Sequence, residues 1–212
     1  MGGASTPRRL CGLLRLAAAI TIVVTLAFQI QDLVVHGALI PGHYFAFFTI
    51  QSSMINVILL LAGGAWALAH QRDTVLLSSI QLSALCYAVV TAAVYNLLLR
   101  GVPTTDYVGI EWPNEVLHVW IPIFLVLDWI FGPGRARLPF TALWVVVSYP
   151  LAWAAFTLIR GPLYGWYPYP FIDPKNGIPS LIGYIAGLSV FIVVLATLAI
   201  LRTRIGRRRH GR

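Results

Sequence analysis

Two short stretches concentrate the residues that could do chemistry. The first is Tyr44 to Asn56, YFAFFTIQSSMIN. In it Thr49, Ser52, Ser53 and Asn56 are spaced i, i+3, i+4, i+7, so on a helix they share one face. The second is Asn114 to Trp129, NEVLHVWIPIFLVLDW, with Asn114, Glu115 and His118 one turn apart. A hydroxyl and an imidazole at matched depth are the minimum for a nucleophile and its general base. Thr49 falls six residues after His43, roughly 9 Å along a helix, and His118 four residues after Asn114, roughly 6 Å. Thr49 and His118 are therefore the candidate catalytic pair. Ser52, Ser53, Asn56, Asn114 and Glu115 are supporting polar groups: the first three as donors to a developing oxyanion, the last two as groups that orient the His118 ring.

Pro122 sharpens the second stretch. It removes the hydrogen bond to the carbonyl four residues earlier, which is that of His118. In a membrane such a carbonyl needs a partner or a cavity. The plainer roles must be weighed beside the chemical ones. A threonine in a membrane helix commonly bonds back to its own helix, and a histidine there can bridge two helices. Asp128 falls roughly 15 Å beyond His118 by helix rise and is expected to pair with Arg135 or Arg137 instead.

The elements that must position these residues follow from composition. The chain is 58% hydrophobic and 10% charged, against about a quarter charged in ordinary soluble domains, and its mean hydropathy is +0.80. Six stretches approach the roughly 20 apolar residues a span needs: 14–35, 43–70, 75–99, 114–131, 140–160 and 179–201. The expected fold is an all-α, polytopic six-helix membrane bundle, a single domain over 1–212. The N-terminal run, with Arg8 and Arg9 ahead of a long apolar segment and no convincing cleavage site, reads as an uncleaved first helix. Met1, Gly2 and Thr6 fit a myristoylation pattern that a multi-span chain does not need.

The net charge of +8 carries 15 basic residues. Counted with the N-terminus inside, 12 of them (Arg8, Arg9, Arg15, Arg72, Arg135, Arg137, Arg202, Arg204, Arg207, Arg208, Arg209 and Arg212) are inner, and Arg100, Arg160 and Lys175 are outer. That bias puts both termini in the cytoplasm of a multi-pass cell-membrane protein. The basic tail then reads as a flank near anionic lipid rather than a nucleic-acid surface. Asp32, Asp106, Glu111, Glu115 and Asp173 gather at the opposite, outer mouth with amides and a crowd of Tyr and Trp, and only Asp73 and Asp128 are inner. Cys11 and Cys86 are too far apart in the expected topology to pair. His36, His43 and His118 with Asp32 are poorly spaced for a metal, so no metal or other cofactor is expected. Gly183 and Gly187 form a small-residue pair expected to pack inside the bundle, and Pro150 a kink. No GxSxG elbow or nucleotide-binding loop is present.

FFTIQS at Phe47–Ser52, LHVWIPIFLVLDW at Leu117–Trp129 and GWYPYPFID at Gly165–Asp173 resemble three blocks of the androgen-induced protein family. The similarity is closer still to a bacterial six-helix family described as integral membrane proteins. The blocks keep their order and loosely cover helices two to six. Members of the named family are membrane hydrolases that cleave fatty acid esters of hydroxy fatty acids with a threonine nucleophile and a histidine. The resemblance puts the threonine, which follows an aromatic/aliphatic pair, on Thr49. It puts the histidine, which precedes a short run ending in proline, on His118. This chain has Ile50-Gln51 where the animal members carry Asn-Trp, and a longer YPYP loop, and its acyl-pocket residues are unmatched, so the substrate does not transfer.

The expected function is hydrolysis of lipid (fatty acyl) esters, with membrane lipids as surroundings and a lipid ester as substrate, and with no nucleic-acid partner. The alternative is a non-enzymatic transporter, receptor or assembly factor that uses a polar cavity at the outer leaflet. Oligomeric state is not encoded in these patterns.

Overall fold

The computed structural model describes residues 4–102 and 107–205. Met1, Gly2, Asp106, Arg207, Arg208, Arg209, His210 and Arg212 lie outside them. The described chain is helical without a strand: α1 Thr6–Val35, α2 Pro41–Tyr44, α3 Phe48–Ala69, α4 Val75–Leu99, α5 Trp112–Phe131, α6 Ala142–Tyr164 and α7 Ile178–Ile205. All but the four-residue α2 are long and apolar enough to cross a membrane. The six expected spans are present, with two informative shifts at their ends.

The first shift is at the N-terminus. Helix α1 begins at Thr6 rather than near residue 14, with Ser5 in extended backbone before it and Pro7 in its first turn, where a missing N–H costs nothing. Arg8 and Arg15 are therefore helical and almost wholly buried. Arg8 pairs with buried Asp73 and donates to the Pro133 carbonyl at 2.6 Å. Arg15 meets Asp128 at 3.0 Å, and Arg135 reaches the same carboxylate at 3.2 Å. Asp128 thus has the Arg135 partner expected for it and a second, Arg15, that the sequence reading left among the free inner charges. Arg137 is exposed. Cys11 adds a thiol contact to Asp128 at 3.0 Å, and both cysteines are free. Ions this deep hold only where each has close partners.

The second shift concerns α3, which begins at Phe48, not His43. Pro41–Tyr44 forms one separate turn, and Phe47 is in extended backbone immediately before α3. Thr49 is therefore the second residue of its helix, not six residues along it.

Helix α4 is the most buried and carries Ser78, Leu82 and Cys86 at no measurable exposure. Thr74 caps it by accepting from the Leu77 N–H at 3.1 Å, one of the four donors a helix start leaves unpaired. The remaining helices are tied by buried polar hooks. Tyr87 of α4 donates to the Val146 carbonyl of α6 at 2.9 Å, and Trp129 of α5 to the Ala199 carbonyl of α7 at 3.1 Å. The glycines that bring helices close are Gly12 and Gly64. A Cβ on Gly12 would stand 2.8 Å from the Gly64 carbonyl oxygen, and one on Gly64 would stand 2.8 Å from Leu16. Gly183 and Gly187 instead face open space. They do not pack inside the bundle, because α7 turns other residues inward: Leu181, Ile192, Ala196 and Ile200.

Asp128→Ala would leave Arg15 and Arg135 facing each other without their shared carboxylate. The expected cost is about 3–5 kcal/mol, read as a large drop in the thermal unfolding midpoint of detergent-purified protein. Arg137→Ala, on the exposed side, should leave that midpoint within experimental error; equal effects would refute the buried-charge account.

Candidate active site

The backbone around His118 is irregular for a reason found in the sequence. Pro122 has no N–H to offer the His118 carbonyl. The turn before it, Val116–Trp120, opens into a π-helical segment. Across from it, the end of α4 opens in the same way over Tyr95–Leu99. Such one-turn bulges occur often at functional sites. Here the two meet. Asn96 donates its side-chain N–H to the His118 carbonyl at 3.1 Å, and the Tyr95 ring stacks on the imidazole, centroids 4.1 Å apart and 16° from parallel. The carbonyl freed by the proline has a partner on another helix, as an apolar surrounding demands.

The imidazole is buried and held at both nitrogens. Its Nδ1 lies 2.9 Å from the Asn114 main-chain carbonyl. A carbonyl can only accept, so Nδ1 carries the hydrogen and Nε2 presents its lone pair. Nε2 lies 3.3 Å from Thr49 Oγ1. The two residues expected to meet are thus brought within reach, and the hydroxyl donates to the base. The distance is on the long side for such a bond, as in other unliganded sites.

The supporting residues divide. Asn114 orients the ring through its backbone; its side chain accepts from Gln29 at 3.4 Å, and Gln29 in turn accepts from the Tyr44 hydroxyl at 3.3 Å. Burial pushes the Tyr44 phenol up to about 12, which keeps it a donor. Glu115 does not join the relay. It turns outward to Arg100, 2.7 Å away, because the π turn carries its side chain to the surface. Ser52, Ser53 and Asn56 are buried on the face of α3 expected for them, but none lines the cavity beside Thr49. Ser52 donates to the Thr49 carbonyl at 3.2 Å, and the Asn56 side-chain oxygen lacks a protein partner. Only Phe48 and Thr49 of α3 reach the cavity, because it runs sideways from the helix start and not down the helix.

That cavity encloses ≈ 320 Å³ among α3, α4, α5, α6, α7 and the 165–177 loop. Thr49 and His118 are at its polar end, with Tyr95 and Tyr169; the rest is largely aliphatic and aromatic, including Val90, Leu158, Ile185 and Leu188. Pro150 lines it, so that proline shapes a wall as well as a helix. Leu151, Ser189 and Val193 line the cavity and are also exposed on the outer face of α6 and α7. The cavity therefore reaches the apolar flank of the bundle between those two helices. A smaller pocket of ≈ 110 Å³ lies at the outer end of α1 and α5, lined by Gln29, Asp32, Tyr44 and Asn114 together with Phe28, Leu33 and Ile110.

Tyr169 is the site residue that the sequence reading missed. It belongs by sequence to the crowd of Tyr and Trp at the outer mouth, yet it is 7% exposed. Its hydroxyl accepts from the Thr49 N–H at 3.4 Å and lies 3.5 Å from Thr49 Oγ1. Its ring stacks on Phe171 and meets Phe47 edge-on. Burial raises the phenol's pKa, so it is a hydroxyl, not a phenolate. The GWYPYPFID block held the signal, but nothing in its spacing distinguishes Tyr169 from Tyr167 as the residue that turns inward.

No protein-family model matches the chain, and no curated protein or solved structure matches it.

Asn96→Leu should destabilise the protein by about 1–3 kcal/mol, the cost of an unpaired buried carbonyl. Adding Pro122→Ala restores a helical N–H to that carbonyl and should recover part of the loss. A double-mutant cycle on thermal unfolding measures the coupling; strict additivity would sever Asn96 from the proline.

Proposed function

We propose that this chain is an integral membrane hydrolase of fatty acyl esters, with Thr49 as nucleophile and His118 as general base. One observation carries the reading. A hydroxyl, an imidazole of assigned tautomer and a carbonyl that fixes that tautomer form a directional chain at the polar end of an apolar cavity. This is the activated-nucleophile arrangement in its simplest form. The shape of the cavity supports a lipid as substrate: an acyl chain fits an aliphatic pocket that opens on the apolar flank, while the ester carbonyl rests at Thr49.

In the first step the Thr49 oxygen attacks the ester carbonyl carbon as His118 Nε2 takes its proton. The carbonyl π pair moves onto the oxygen. Collapse expels the alcohol, which receives the proton from His118, and leaves an acyl-threonine. Water, deprotonated by the same imidazole, then releases the acid and regenerates Thr49. The imidazole must be neutral to begin, so turnover should rise with pH through a single ionisation.

The bias of basic residues supports placing both termini in the cytoplasm of the cell membrane, with the catalytic end in the outer leaflet. Buried Arg8, Arg15 and Arg135 are already paired inside the bundle and weigh less in that count than the exposed arginines.

A fluorophosphonate probe should label the purified protein on Thr49. Thr49→Ala should abolish labelling and ester turnover. His118→Ala should lower kcat by about 10²–10⁴-fold while leaving KM nearly unchanged. A well-folded protein that binds lipid yet neither labels nor turns over an ester would instead fit the transporter, receptor or assembly-factor reading.

The orientation has its own check. Single cysteines in the 107–111 and 165–177 loops should react with impermeant thiol reagents on intact cells, and those in 132–138 only after permeabilisation. The opposite pattern would move the catalytic end to the cytoplasmic leaflet.

A further inference from the structure

A threonine and a histidine leave one requirement of acyl transfer unmet, a donor for the negative charge that develops on the carbonyl oxygen. We propose that the Tyr169 hydroxyl, with the Thr49 N–H at the start of α3, forms the oxyanion-stabilising pair of this site. The proposal rests on the hydrolase reading above.

The geometry supports it from three sides. Thr49 is the second residue of a 22-residue helix whose N-cap, Phe47, makes no side-chain capping bond. Its N–H therefore belongs to the unpaired first turn and sits at the positive end of the helix dipole. Among protein groups, that N–H finds the Tyr169 oxygen at 3.4 Å. In this bond the phenol oxygen accepts, so its own hydrogen points elsewhere. Thr49 Oγ1, at 3.5 Å, is a distant acceptor for it, and that oxygen already donates its hydrogen to His118. The O–H is thus held beside the nucleophile on a buried ring and weakly engaged.

The competing candidates are less well placed. Ser52 and Asn56 do not line the cavity, and Ser52 spends its hydrogen on the Thr49 carbonyl. Thr157 and Ser189 line the cavity but are not bonded to either reacting residue.

In the attack step the new bond joins Thr49 Oγ1 to the carbonyl carbon, and the π electron pair becomes a full charge on the former carbonyl oxygen. That oxygen lies within a bond angle of Oγ1. The Tyr169 O–H rotates from Oγ1 to it, and the Thr49 N–H, only loosely engaged by the phenol oxygen at 3.4 Å, donates as well. No proton leaves Tyr169. It acts by donating a hydrogen bond, and the proton taken from Thr49 stays on His118 until the alcohol departs.

The test is Tyr169→Phe, which keeps the ring between Phe47 and Phe171 and removes only the hydroxyl. With 4-nitrophenyl octanoate, kcat should fall about 10²–10³-fold, with little change in KM and with the pH midpoint of the wild-type protein, because that midpoint belongs to His118. Labelling by the fluorophosphonate should slow in parallel, since it too builds charge on an oxygen at this point. Tyr184→Phe, which removes a hydroxyl from a ring beside Phe171, should be without effect. Replacing Tyr169 by a ring-fluorinated tyrosine provides a variant of nearly unchanged shape. Fluorine makes the phenol more acidic, so activity should be lost at a lower alkaline pH than in the wild type. Tyr169→Phe activity within about threefold of wild type, or a fluorotyrosine protein whose alkaline limb does not move, would overturn the assignment. So would a loss in Tyr169→Phe that appears in KM and in the unfolding midpoint, which would make Tyr169 a packing residue. In each of those cases wild-type turnover lost in Thr49→Ala leaves the hydrolase reading standing. Wild-type protein that neither labels nor turns over removes both.

Discussion

The one carbonyl that Pro122 frees governs the end of the bundle that holds Thr49 and His118. Left alone, the His118 oxygen would be an acceptor buried in apolar surroundings, which costs about as much as a lost hydrogen bond. Asn96 supplies the missing donor, and to reach it α4 must open its last turn. That opening brings Tyr95 flat against the imidazole. The π turn in α5 sets Asn114 so that its carbonyl faces Nδ1. Ring position, ring tautomer and the direction of the Nε2 lone pair all follow from satisfying one backbone group.

The opposite end of the bundle is held by a different economy. There Arg8, Arg15 and Arg135 surround two carboxylates, Asp73 and Asp128, with main-chain carbonyls and Gln81 accepting from further guanidinium N–H groups. Arg135 also lies over the Trp129 ring, 3.9 Å from its centroid. This cluster and the close approach at Gly12 and Gly64 lock α1, α3, α4 and α5 together. Helices α6 and α7 are held by fewer polar hooks, and the cavity opens between them. The better-buried half carries Thr49 and His118, and the less buried α6 and α7 form the apolar wall of the cavity.

The 165–177 loop closes the site from above. Its two short 3-10 turns, Pro170–Ile172 and Pro174–Asn176, are braced by Asp173 accepting from the Lys175 N–H and by Asn176 donating to the Pro170 carbonyl. That bracing directs Tyr169 down onto the start of α3. His43 stacked on Trp166 and Arg160 bonded to the Gly42 carbonyl hold the same loop region to the α2 turn. A loop this tightly pinned can present a hydroxyl at a fixed point, which loops seldom do without such support.

By itself the sequence determined the helical class, the number of apolar helices of span length and a place where a hydroxyl and an imidazole could meet. Apolar runs of span length leave few other folds, and Pro122 marks the carbonyl that needs a partner. Thr49 and His118 were legible because each belongs to a short polar group set in an otherwise apolar run. Tertiary structure decided what one-dimensional spacing cannot carry. Asn114 acts through its main chain, and main-chain carbonyls look alike in any sequence. Glu115 turns to Arg100 and not to His118, because an extra residue in a π turn rotates everything before it. Arg15 looks like a flanking charge until α1 extends back to Thr6 and buries it against Asp128. Ser52, Ser53 and Asn56 share the face of Thr49, yet the cavity leaves that face after one turn. Tyr169 is one of many aromatic residues near the mouth. Only the packing of a proline-rich loop against a helix start separates it from the others, because that contact joins residues 120 positions apart.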